Sequence, residues 1–91
     1  MPPESVRLEF ACFSVSAAAE PGTLHRLLEP FAKRGLVPSA LHARVIGDSL
    51  RADLQVEMAP ELAASVAETL RQMPSVERVL VAALQEGRVA R

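Results

Sequence analysis

The spacing of apolar residues along this chain changes period five times, and that order limits the fold more than any single motif does. Residues 8–17 alternate: Ala11, Phe13, Val15 and Ala17 fall on one face, Cys12, Ser14 and Ser16 on the other, as in a strand. Leu8 and Phe10 share the second face by parity and make it partly apolar. Glu20-Pro21-Gly22-Thr23 then breaks the alternation, and Leu24, Leu27, Leu28 and Phe31 follow at helical spacing. Pro21 suits a first helical turn, where its missing N–H has no intrahelical acceptor to lose. Gly35 is placed to end the helix in the left-handed conformation. Pro30 removes the bond to the Arg26 carbonyl. A helical wheel sets it to one side of the stripe, where water can satisfy that carbonyl and a bend is tolerated.

Residues 36–46 and 49–58 form a hairpin around Gly47-Asp48. A two-residue turn pairs Val45 with Leu50, Ala43 with Ala52 and Leu41 with Leu54, all apolar on one face. It pairs His42 with Asp53 and Arg44 with Arg51 on the other. A slip of one residue would scramble both sets, so the register is strongly specified. Pro60 opens a second helix with Leu62, Ala63, Val66, Ala67, Leu70 and Met73 on one side, and Pro74 stops it. Residues 76–83 make a last strand centred on Val79 and Val81. The order predicts an α+β, ferredoxin-like βαββαβ sandwich: a four-stranded antiparallel sheet with two helices on one face. The first and third strands are then central and the other two are edges, and an unprotected edge invites pairing with a second copy.

A chain of 91 residues, 49% of them apolar, has room for one domain with a modest core. Residues 8–84 are expected to form it, with a polar lead at 1–7 and a tail at 85–91. The single cysteine, Cys12, excludes an internal disulfide. Ten basic residues against eleven acidic ones argue against a nucleic-acid or polybasic membrane role. No apolar run approaches the roughly 20 residues of a membrane span, so a cytoplasmic protein is expected.

The chemistries that such a sandwich carries can be tested residue by residue, because a fold does not fix a function. Metal transfer needs two thiolates in the loop after the first strand, and Cys12 has no partner. Base stacking on the central strands needs aromatics that residues 50–58 lack. Acylphosphatase-type hydrolysis needs an Asn to hold water, and the chain has none. His25 and His42 belong to no nucleophilic constellation. His25 reads as a solvated helix residue and Cys12 as a small sheet residue. No catalytic or metal-ligating residue is assigned and no cofactor is expected. Arg44 opposite Arg51 stands out, since like charges directly opposed are unfavourable. Either Asp53, Glu57 and solvent absorb the repulsion, or an anionic ligand or acidic partner covers that face. The other feature is the loop Ala19-Glu20-Pro21-Gly22-Thr23, which runs into a helix N-terminus able to receive a carboxylate.

The string from Phe13 to Leu24, ending Glu20-Pro21-Gly22-Thr23-Leu24, followed by Gly35-Leu36-Val37-Pro38, resembles the ACT domain, a small amino-acid-sensing regulatory module. Within that family, Pro21-Gly22-Thr23-Leu24-His25-Arg26-Leu27-Leu28 and Met73-Pro74-Ser75-Val76-Glu77-Arg78-Val79 are most similar to the single-domain small subunit of acetolactate synthase. The resemblance implies a non-catalytic homodimer built through a sheet edge and the first helix. It further implies a possible large catalytic enzyme subunit as partner and a small amino-acid effector. The ligand would lie between Ala19, Glu20, Pro21, Gly22, Thr23 and Leu24 of one copy and Leu36, Val37 and Pro38 of the other. A stand-alone amino-acid sensor is the alternative. The chain departs from the family at two anchors: Ala19 replaces the usual Asp or Asn, and Val37 replaces the usual Asn. Losing both costs about 2–4 kcal/mol of ligand affinity, which predicts a weak or absent response to free amino acids. Glu20 and the N–H groups of Gly22 and Thr23 are the remaining candidate contacts.

Overall fold

A computed structural model describes residues 9–84; the lead and tail expected at 1–7 and 85–91 lie outside them. The elements run β1 (Glu9–Ala18), α1 (Thr23–Lys33), β2 (Ala40–Ile46), β3 (Ser49–Met58), α2 (Pro60–Arg71) and β4 (Val76–Leu84). They form one antiparallel sheet in the order β2-β3-β1-β4, with the predicted central and edge strands. The hairpin register is the predicted one, including Val45 with Leu50, His42 with Asp53 and Arg44 with Arg51. Gly47 takes the first turn position at φ 64°, and no non-glycine described residue has positive φ, the pattern of a II′ turn.

The core lies between the helices and the alternating residues of the two central strands. Ala11, Phe13, Val15 and Ala17 of β1 and Leu50, Ala52, Leu54, Val56 and Met58 of β3 are all buried. Leu27 and Phe31 of α1 and Ala63, Val66, Ala67 and Leu70 of α2 close over them. Phe13 and Phe31 meet edge to face, with centroids 5.1 Å apart and planes at 88°, a favoured aromatic geometry that locks α1 onto β1.

Two expectations need correcting. Pro30 is buried, not turned to water: the buried stripe of α1 is Thr23, Leu27, Pro30 and Phe31, and the helix continues through Pro30 to Lys33. The stripe is therefore rotated from the one that Leu24 and Leu28 suggested, and those two leucines are only partly buried. Strand β2 begins at Ala40, not at Leu36. The Leu36 N–H bonds to the Phe31 carbonyl at 2.9 Å and the Gly35 N–H to Ala32 at 3.0 Å, the paired bonds of a Schellman motif with Gly35 at φ 71°. Pro38 has no N–H to give a ladder, so pairing starts where the Ser39 N–H reaches the Gln55 carbonyl at 2.8 Å. The pairing of β1 with β4 contains a bulge: Ser16 pairs with Arg78, but Ala17 pairs with Val76. Unbroken register would aim Glu77 at the core; the extra residue leaves Glu77 exposed and packs Val76 against the core instead.

Candidate functional site

The loop between β1 and α1 is fixed by its own backbone. Ala18 N–H bonds to the Ser75 carbonyl at 2.9 Å and Ala19 N–H to the Asp48 carbonyl at 3.0 Å, tying the loop to the start of β4 and to the hairpin turn. Glu20-Pro21-Gly22-Thr23 is a type II turn: Pro21 is its second residue, Gly22 its third at φ 87°, ψ −12°, and Thr23 N–H closes it on the Glu20 carbonyl at 3.0 Å. Gly22 is also the N-cap of α1, and Arg26 N–H makes the first helical bond to its carbonyl at 3.0 Å. The Thr23 N–H is thus spent inside the turn and is not the free donor that the sequence suggested. Its hydroxyl is buried as well, at 0% exposure, with no hydrogen-bond partner among the described residues.

Helix α1 has no side-chain cap and no acidic residue in its first turn. The positive end of its dipole is uncompensated by its own side chains, and its first N–H groups have no intrahelical acceptors. Arg26 adds to this field. Its Nη2 lies 3.7 Å from where a Cβ on Gly22 would stand, so the guanidinium folds back over the turn.

Beside the turn is an open cleft of ≈ 650 Å³ lined by Ala18, Ala19, Glu20, Gly22, Leu24, Val45, Gly47, Asp48 and Leu50. It presents an aliphatic wall (Leu24, Val45, Leu50) and two carboxylates, Glu20 and Asp48. An ammonium group near the carboxylates, a carboxylate near the helix start and an aliphatic side chain between them would each meet a complementary surface. Of the residues expected here, Ala19, Glu20, Gly22 and Leu24 line the cleft, while Pro21 is exposed on the turn and Thr23 lies beneath it.

Leu36, Val37 and Pro38 are elsewhere in the protomer, past the far end of α1, which spans about 16 Å. Leu36 and Pro38 line a smaller cleft of ≈ 240 Å³ with Leu28, Phe31, Ala32 and Leu41, and Val37 is exposed. Sequence reasoning missed Val45, Asp48, Leu50 and Arg26. The signal for the first three was available: β1 and β3 are central and antiparallel, so the end of β1 must lie beside the hairpin turn.

The remaining candidates stay quiet. The Asp53 carboxylate accepts the Ser14 hydroxyl at 2.8 Å, so its cross-strand partner His42 faces a carboxylate already engaged. His25 is exposed and Cys12 is half-buried. No group of three or more potential metal-ligating side chains occurs among the described residues. No described helix is long and apolar enough to cross a membrane.

Solved structures of several proteins share this architecture. The ACT domain from GTP pyrophosphokinase of Chlorobium tepidum superposes with a TM-score of 0.74 at 10% identity, over 84% of this chain and all 100% of that one. A homoserine dehydrogenase from Thiobacillus denitrificans matches at 0.72 and 14% identity, over 93% of this chain but 19% of that one. The ligand-free regulatory subunit of aspartate kinase from Thermus thermophilus matches at 0.61 and 17% identity, over 85% and 54% respectively. At such identities the likeness establishes the fold alone. No curated protein matches the chain in sequence. The model of the ACT-like domain family does match, over residues 5–87, and the chain therefore belongs to the ACT-like domain family, whose members are regulatory, non-catalytic modules.

Proposed function

We propose that this chain acts as a homodimer, joined through the β2 edge and the flank of α1, that regulates an amino-acid biosynthetic enzyme of acetolactate synthase type. One observation carries the dimer. Leu41 and Val45 point to the helix side of the sheet, yet they remain 43% and 62% exposed. Leu24 and Leu28 of α1 border the same uncovered strip and are only partly buried. A second copy related by a twofold axis would continue the ladder from β2 and lay its own α1 over this strip.

The same axis reverses the direction of the second α1. It sets the far end of that helix, with segment 36–38, against the Ala19–Leu24 turn, completing the cleft from both copies. The choice of acetolactate synthase rests on the resemblance of residues 21–28 and 73–79 to its small subunit. Co-purification of the untagged chain with a large biosynthetic subunit tests it, and recovery of no such subunit would sink it.

The stand-alone sensor is the second reading, and Asp48 and Arg26 favour it. They place opposite charges around an aliphatic wall even though Ala19 and Val37 lack the family's polar anchors. A thermal-shift panel of amino acids separates the readings. An effector at 100 times its dissociation constant adds about 2.7 kcal/mol to stability, and a flat response across aliphatic amino acids removes the sensor.

A further inference from the structure

The face of the sheet turned away from the helices carries a row of arginines. Arg44 pairs with Arg51, Arg51 with Ser16, and Ser16 with Arg78, so one transverse row crosses all four strands with three arginines and a serine. With strands about 4.8 Å apart the row is about 14 Å wide, and long guanidinium side chains converge easily over that span. Among the described residues, none of the three guanidiniums has a carboxylate within 4.0 Å or a hydrogen bond; the ion pair present is Arg71 with Glu68, on α2. Asp53, one row away, is engaged by Ser14, and Glu77 faces Ser49, 3.4 Å from its hydroxyl. Like charges directly opposed across a ladder cost stability, and among the described residues no ion pair within 4.0 Å offsets them, with the Glu77 carboxylate lining the same concavity.

The row borders a concavity of ≈ 400 Å³ formed by Ser16, Ile46, Ser49, Arg51, Glu77 and Arg78, a volume within the range of small-molecule sites. Two guanidiniums and two hydroxyls line it beside the Glu77 carboxylate, and Ile46 supplies an apolar wall. A carboxylate is satisfied by one arginine. A phosphomonoester dianion or a pyrophosphate has the charge and the oxygen count for two or three. We propose that the row Arg44, Arg51, Ser16 and Arg78, with Ser49, is a binding site for a small organic molecule bearing a phosphate or pyrophosphate group.

The site lies on the opposite face from α1 and shares no residue with the Ala19–Leu24 turn, so it stands or falls independently of the effector; Arg44, on β2, is its one residue on the proposed dimer edge. The test is a titration of the full chain with sodium pyrophosphate, followed by calorimetry and by amide chemical shifts. Citrate and a polyglutamate peptide serve as carboxylate controls. The expected result is saturable binding with shifts at Ser16, Ser49, Arg51 and Arg78, weakened by added salt. Arg51→Gln and Arg78→Gln each lower affinity about tenfold or more, while Arg71→Gln on α2 leaves it unchanged. Arg51→Gln also raises the melting temperature by roughly 1–4 °C, because it removes the repulsion with Arg44. Absence of binding, binding insensitive to Arg51→Gln, or shifts confined to residues 22–25 would overturn the proposal. So would citrate or polyglutamate binding as tightly as pyrophosphate. A fall in melting temperature in Arg51→Gln would make the arginines structural and equally overturn it.

Discussion

The two edges of the sheet have opposite surroundings. Along β4, α2 packs over the first half of the strand, and Val79, which points toward the helices, is 4% exposed, while Val81 on the same side is 36% exposed. Along β2, Leu41 and Val45 point to the same side of the same sheet and remain open to water. Both strands carry apolar residues at alternate positions, so the difference lies in the third dimension. The helices bury the apolar faces of β1 and β3 and Val79 of β4, and leave Leu41 and Val45 of β2 exposed. The β2 edge is therefore where the proposed second copy would bind, whereas Val79 of β4 is already part of the core.

Placing one substitution at each edge gives the sharpest contrast. Val79→Glu puts a charge into a filled core and should unfold the protomer, at a cost of about 3–5 kcal/mol, read by loss of the circular-dichroism melt. Val45→Glu should leave the melt of the isolated protomer within about 0.5 kcal/mol, since its side chain stands in water, while abolishing self-association by light scattering. A Val45→Glu variant that unfolds would put β2 inside the core and erase the contrast.

Smaller effects sharpen the account of the turn. Gly22→Ala should cost about 1–2 kcal/mol through its left-handed φ alone. A Cβ there meets only Arg26, at 3.7 Å. Thr23→Val should be neutral or stabilising by up to about 1 kcal/mol in urea denaturation, because the buried hydroxyl has no partner to lose.

The contrast also explains what could be read from the sequence. The hairpin's turn and register were legible to the residue because Gly47-Asp48 fixes the turn and a one-residue slip would put Arg44 or Arg51 on the helix side. Gly35 was legible because a left-handed helix end has few other candidates. Pro30 was not, because a helical wheel drawn on leucines has no knowledge of α2, which rotates the buried stripe toward Thr23 and Pro30. The start of β2 was missed because the Leu36 N–H closes a Schellman motif whose bonds override the strand-like run after it. The bulge at Glu77 was invisible, since it depends on which residue β1 offers opposite. At the candidate site, the turn was readable from Glu20-Pro21-Gly22-Thr23, but Asp48 and Val45 enter it through topology. Arg44 and Arg51 were visible as a pair; Arg78 joined them only once the pairing of β1 with β4 was known.

The central claim is that β2 is an interface between copies. The mass of the chain in solution, by sedimentation equilibrium at the highest soluble concentration, tests it most directly. The account predicts twice the 9.8 kDa of a single chain, falling to that single mass in Val45→Glu. A wild-type chain that sediments as one protomer throughout would contradict it.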